Sequence, residues 1–206
     1  RTPWRPRPAG GGAGPVVVHH LDGLSVIASL LAAPPNGGPR TLAQHHEVVA
    51  AAMPAEAVLP FRFGVLVPEP DLVPWLRVNA PLVRSTLARL RGCVEMNVKL
   101  LRLSSEGPAT AELRALGERL VERASVETWH YRAAESAGNV ASVAFLLPAP
   151  EVPAFLTRIA PVASHAVGVA VVPTGPWPAY SFVPTFDRRP LARAEGADPS
   201  SQRRVG

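Results

Sequence analysis

The sequence predicts an α+β fold whose second half is a β-sheet carrying its helices on one face. Three observations point there. From Cys93 onward, stretches of period-2 and period-3.6 hydrophobicity alternate as β-α-β-α-β. That rhythm matches a split-βαβ or ferredoxin-like sheet, with one strand of the full pattern not visible. The 206 residues, 47% hydrophobic and 18% charged, suffice for one large domain or two small ones whose cores need neither disulfide nor metal.

Taken in order, residues 1–15 are Pro, Gly and Arg with little to bury, and are expected to form a disordered arm. Val16-Val17-Val18 and Gly23 to Ser29 read as two strands hinged on Asp22-Gly23, a dipeptide that tolerates the positive φ of a hairpin turn. After the loop Pro34–Pro39, Thr41 is placed to cap a helix reaching about Met53, with Leu42, His46, Val49 and Met53 on one stripe. Val58 to Phe63 is extended, and Pro60, having no amide proton, puts this piece at a sheet edge or outside the sheet. Pro70-Asp71 opens a long helix to about Arg91 with Leu72, Trp75, Leu76, Leu82, Val83, Leu87 and Leu90 at helical spacing. Pro81 predicts a kink or break in it near Ala80, and Gly92 ends it in the left-handed C′ position.

In the second half, Cys93 to Leu103 is a strand with Val94, Met96, Val98 and Leu100 on one face and Glu95, Asn97 and Lys99 on the other. A helix is predicted from about Ala109 to Arg132 on the stripe Leu113, Leu116, Leu120 and Ala124. Asn139 to Leu147 is an apolar strand, Glu151 to Ala160 a helix, and His165 to Thr174 a further apolar strand. Beyond Asp187 the composition reverts to Arg, Gly, Ser and Pro, a second tail. There is no internal repeat.

The formal charge of +5 needs dissection before it is taken as a nucleic-acid signal. The first ten residues carry +3 and those from Arg188 onward another +3, leaving residues 11–187 at −1. Cations concentrated in tails are not the folded basic face that tracks phosphates, so no nucleic-acid partner is expected. The longest clean apolar run, Ala166 to Val172, is far short of the roughly 18 residues a membrane span needs. Cys93 is the only cysteine, which excludes an intramolecular disulfide and a cysteine cage. With no N-terminal apolar signal segment, the expected compartment is the cytoplasm.

Catalytic constellations are missing from the sequence. His45 and His46 are adjacent on a helix and diverge by about 100°, while His19 and His20 lie on opposite faces of a strand, so neither pair chelates. There is no HExxH, no GxSxG and no glycine-rich loop between a strand and a helix. Glu112, Glu118, Glu122 and Glu127 alternate with Arg114, Arg119 and Arg123 at spacings of an ion-paired, solvated helix face. Glu95 and Lys99 share one strand face as a surface pair or an interface feature. No metal, no cofactor and no enzyme activity are expected.

Two aromatic segments stand out. Leu59-Pro60-Phe61-Arg62-Phe63-Gly64 sets Arg62 between two rings, and Gly175-Pro176-Trp177-Pro178-Ala179-Tyr180-Ser181-Phe182 follows the last strand. Gly175 permits a sharp departure from the sheet, and the flanking prolines hold Trp177 extended. Each segment is open to two readings, a packing element or a recognition surface.

These segments, in this order, resemble the gas vesicle protein F/L family. The residues that carry the resemblance are His45-His46-Glu47-Val48-Val49, Val58 through Gly64, Glu95-Met96-Asn97-Val98-Lys99, Val143 through Leu147, and Thr174 through Phe182. It spans about Leu21 to Val183, departing where the Pro-Arg arm replaces an aromatic first strand and where Met96 replaces an aromatic. The resemblance implies an accessory or minor structural protein of gas vesicles, the gas-filled shells that confer buoyancy, with the apolar shell protein and other accessory proteins as partners. It also implies two α+β domains, residues 16–91 and a modified ferredoxin-like unit at 92–186, flanked by the arm (1–15) and a basic tail (187–206). Candidate interaction residues on the matching motifs are Arg62, Phe63, Gly64, Glu95, Lys99, Gly175, Trp177 and Tyr180. The alternative is a small-molecule-binding ferredoxin-like domain or enzyme.

Overall fold

A computed structural model describes residues 14–35, 37–103, 110–133 and 140–186. The expected arm at 1–15, save its last two residues, and the tail at 187–206 lie outside them. The first elements are a hairpin, β1 (Val16–Leu21) and β2 (Leu24–Ser29), paired from Val16↔Ser29 to Leu21↔Leu24. Its turn has Asp22 at φ 49 and Gly23 at φ 78, the two positive angles a tight primed turn requires. Gly14 lies so close to Leu30 that an added Cβ would fall 1.5 Å from its carbonyl oxygen.

Helix α1 (Pro39–Ala52) starts earlier than expected, with Gly38 as its cap and Pro39 at the first helical position, where a missing N–H costs nothing. Thr41 is therefore inside the helix, where its hydroxyl donates to the Gly38 carbonyl (2.8 Å). The inward face runs through His45, Val48, Val49 and Ala52; Leu42 and His46 of the expected stripe point outward. Helix α2 (Glu69–Leu90) is helical throughout, Pro74 and Pro81 included, so of the kink or break expected near Ala80 the break is absent. It buries Leu76, Val83 and Leu90, whereas Leu82 faces solvent. Gly92, at φ 66, closes it as expected.

The second half is β3 (Cys93–Arg102), α3 (Thr110–Ala124), β4 (Thr128–Arg132), β5 (Val140–Pro148), α4 (Val152–Ser164) and β6 (Val169–Trp177). The sheet order β4-β5-β3-β6, antiparallel throughout, is that of a split βαββαβ unit. The strand not visible in the sequence is β4. The predicted helix to Arg132 stops at Ala124 because Ser125 takes φ 51, and Thr-Trp-His-Tyr-Arg then pairs with β5 from Thr128↔Leu146 to Arg132↔Ser142. The last strand begins at Val169, four residues after the expected start, because α4 continues to Ser164. It also ends later: β6 runs through Gly175 to Trp177 over a bulge, since Asn97 pairs with Thr174 and Glu95 with Trp177. The expected departure at Gly175 is thus a bulge inside the strand.

The sheet has two buried faces. Val98, Leu100, Val143, Phe145 and Leu147 meet Leu113, Leu116 and Leu120 of α3 and Phe155 and Ile159 of α4, with Phe145 and Phe155 rings 5.1 Å apart. The opposite face is covered by other parts of the chain: Ala144 and Leu146 pack with Leu90 of α2 and with Ala179 and Phe182, which follow β6.

Candidate functional site

The two motif segments come to the same side of the molecule, where α1 and α2 meet the reverse face of the sheet. Beyond Trp177, the chain crosses that face as a strap. Ser181 anchors it by donating its amide and its hydroxyl to the two carboxylate oxygens of Glu95, at 2.8 Å each. Glu95 is 5% exposed, so the surface pair with Lys99 is not formed; Lys99 is exposed on the same strand face while the Glu95 carboxylate serves the strap. Burying a carboxylate is tolerated when its lone pairs are taken up in this way.

Gly175 is required here twice over. Its φ is 124, and a Cβ would stand 2.8 Å from the Glu95 carbonyl oxygen and 2.9 Å from the Met96 sulfur. The peptide bond between Gly175 and Pro176 is cis. Trp177, 44% exposed, lies parallel to His46 of α1, with ring centroids 6.1 Å apart and planes 8° from parallel. The Tyr180 ring is 5.7 Å from His46, and burial pushes its hydroxyl above the usual tyrosine range. Phe182 is buried against the sheet, 4.9 Å from His130, and Arg89 of α2 donates to its carbonyl at 2.7 Å. Trp177 is therefore the exposed aromatic ring of the segment, Tyr180 is half-buried with its hydroxyl 3.5 Å from His46 Nδ1, and Phe182 is buried.

Arg62, Phe63 and Gly64 sit elsewhere, in the turn after the extended piece from Val58. Among the described residues that piece pairs with no strand. Phe63 packs edge-on to His45 (5.8 Å), and His45 Nε2 donates to the Phe61 carbonyl at 2.9 Å. Burial lowers the His45 pKa below the ordinary histidine value, with the hydrogen bond opposing and His46 adding to the shift. Arg62 is exposed, and Gly64, at φ 85, adopts the left-handed turn conformation with open space around it. These three line a cleft of about 2330 Å³ between the hairpin, α1 and α2. Its lining is mostly aliphatic and aromatic, and Leu30, Val65, Leu66 and Val78 are each at least 40% exposed there. Phe61, Trp75 and Phe186 close one part of it with ring centroids 5.4–5.9 Å apart.

The candidate residues thus fall into two groups, Glu95, Gly175 and Trp177 at the strap and Arg62, Phe63 and Gly64 at the cleft, with Tyr180 of the strap also lining the cleft. Lys99 joins neither. The sequence reading missed His46 as a partner of Trp177, and it missed Phe186 as the ring that fastens the strap's end. A signal for Phe186 was present in its being the last aromatic before the composition changes. Chemically the arrangement is suited to holding apolar and aromatic surface. Both oxygens of Glu95 are engaged, and burial raises the Cys93 thiol, with Glu151 adding to the effect, which keeps it in its less nucleophilic form. Among the described residues no group of three or more His, Cys, Asp or Glu is placed to hold a metal ion, and no helix is long and apolar enough to cross a membrane.

Comparison with known proteins agrees with this fold. The family model described as gas vesicle synthesis protein GvpL/GvpF matches residues 1–123 and 108–184. Similar solved structures include the gas vesicle protein GvpF from Anabaena sp. PCC7120, at TM-score 0.70 and 16% identity, with 84% of this chain and 86% of that one covered. GvpF from Microcystis aeruginosa aligns at TM-score 0.68 and 14% identity, covering 84% of this chain and 90% of the other. No curated protein is matched by sequence.

Proposed function

Since the chain belongs to the gas vesicle synthesis protein GvpL/GvpF family and so has a role in gas vesicle formation, we propose that it acts there as an accessory or minor structural protein. In this reading it binds the apolar shell protein and other accessory proteins in the cytoplasm, and it is not an enzyme. Residues 16–91 form the unit that receives the shell protein, and residues 92–186 are the ferredoxin-like unit against which it is held.

The apolar cleft carries this reading. Small-molecule sites enclose roughly 300–1,000 Å³, whereas the cleft measures about 2330 Å³ and is bounded by side chains that already stand exposed to solvent. A helical segment about 10 Å across and about 15 Å long occupies on the order of 1,200 Å³, so the cleft accommodates a piece of protein. Exposed apolar surface of this kind marks a protein-binding site. It also favours a binding protein over the small-molecule alternative.

The test is capture of purified shell protein by this chain, with Leu66→Asp as the comparison. Leu66 is 51% exposed in the cleft lining, so the substitution charges the wall without disturbing a core. Capture by the unaltered chain and its loss in Leu66→Asp support the reading; equal capture by both removes the cleft from it.

A further inference from the structure

On the opposite side of the sheet from the strap, a second concave surface lies between α3 and α4. It collects cations that helix spacing alone would assign to an ion-paired face. Arg114 does pair with Glu118, four residues on, at 3.2 Å. Arg119 and Arg123 have no ion-pair or hydrogen-bond partner among the described residues, and both line this groove. Across from them, Arg158 of α4 donates Nε–H to the Ala124 carbonyl at the end of α3 (2.8 Å), which fixes the plane of its guanidinium. His165, which caps α4, donates from Nδ1 to the Pro161 carbonyl, leaving Nε2 available in the groove. Against three guanidinium groups the lining offers one carboxylate, Glu122.

The negative end of the α3 dipole accounts for cations in its last turn, hence for Arg123 and for the bond made by Arg158. It does not account for Arg119, which lies a full turn farther back. We propose that this groove binds an acidic peptide segment of a protein partner. The cations are strung out: Arg119 and Arg123 are one turn apart, about 6 Å, and Arg158 and His165 about 10 Å apart along α4. Such spacing suits successive carboxylates on a chain better than one compact anion, and guanidinium groups favour paired contacts with carboxylates. Pro161 and Val162 give the groove an apolar floor for the peptide's stem atoms. The proposal is independent of the cleft, which lies on the other side of the sheet.

Fluorescence anisotropy with a labelled octaglutamate peptide, and an octaglutamine peptide as control, tests it at low salt and with the full chain. The expected result is binding of octaglutamate only, weakened at least tenfold in Arg119→Glu/Arg123→Glu. The milder Arg119→Gln/Arg123→Gln serves should the reversed charges impair folding. Because the basic residues near both ends are the same in every variant, a twofold or smaller change would show that they carry the binding, and would overturn the proposal. Displacement of the peptide by millimolar inorganic phosphate would also overturn it, in favour of a site for a small anion.

Discussion

At the scale of single residues, exposure separates two roles within one motif. Trp177 presents an indole that is 44% exposed and stacked over His46, while Phe182, five residues on, is 3% exposed. A buried aromatic cut to Ala costs roughly 3–5 kcal/mol, but Trp177→Ala leaves no core cavity and is expected to cost about 1 kcal/mol. Indole rings held on a restricted backbone are frequent interface anchors. Trp177→Ala should therefore abolish shell-protein capture and vesicle formation while the thermal midpoint drops by only a few degrees. A large fall in the midpoint would make the ring a packing lid. His45 supports a second prediction. Burial disfavours its charged form, so the folded chain binds its proton less readily than the unfolded chain, whose histidine has the ordinary value of 6.5. With more protons bound to the unfolded state, stability rises with pH across the interval from the lowered value up to 6.5. Denaturant midpoints should accordingly fall between about pH 7.5 and 5.5, as histidine titrates. His45→Gln, which keeps a donor for the Phe61 carbonyl, should flatten that dependence; an unchanged slope would assign it to other groups.

At the scale of elements, the strand that escaped the sequence reading shows what local pattern cannot carry. The Glu and Arg residues of α3 continue in helical register past its end, and only a positive φ at a non-glycine residue, Ser125, marks the stop. Five residues of β4 are too few for period 2 to outweigh that register, and the strand is specified by pairing with β5 from elsewhere in the chain. The hairpin, by contrast, was legible because Asp22-Gly23 is a local device, as was Gly92 at the end of α2. Two expected interruptions were absorbed instead: α2 continues through Pro81 without a break, and the departure expected at Gly175 is a bulge inside β6. For the site, the motif residues were legible and their grouping was not, because contacts such as His46 with Trp177 join segments more than a hundred residues apart. The seat of β4 supplies a prediction at this scale. Tyr131 lies against α3 at Gly117, where an added Cβ would be 2.9 Å from the ring. Gly117→Val should drive the ring out and lower stability by about 1–3 kcal/mol, despite the poor helix propensity of glycine. A denaturation midpoint at or above that of the unaltered chain would mean that Tyr131 moves aside freely.

At the scale of the whole molecule, the segment after β6 joins the two halves. Within nine residues it takes both oxygens of Glu95 through Ser181, covers Ala144 and Leu146 with Phe182, receives Arg89 of α2, and ends with Phe186 between Phe61 and Trp75. The hairpin is tied in separately, by Arg84 of α2 donating to the Asp22 carbonyl at 2.6 Å. The excess positive charge lies apart from these contacts, since residues 11–187 carry a net −1. Burial and bonding, not charge, should then decide what can be trimmed. A chain of residues 16–187 is expected to melt cooperatively within a few degrees of the full chain. A chain ending at Trp177 loses Phe182 and Phe186, uncovers Ala144 and Leu146, and gives up both hydrogen bonds of Ser181 to Glu95, each bond to a charged group contributing about 1.5–3 kcal/mol. It should melt far lower or in two steps, as residues 16–91 and 92–177 lose their common cover. Calorimetry on the two shortened chains measures both outcomes. Loss of cooperativity in the 16–187 chain would show that the first fifteen residues contribute to the folded sheet after all, and a single unshifted transition in the 16–177 chain would show that the strap is not what holds the halves together.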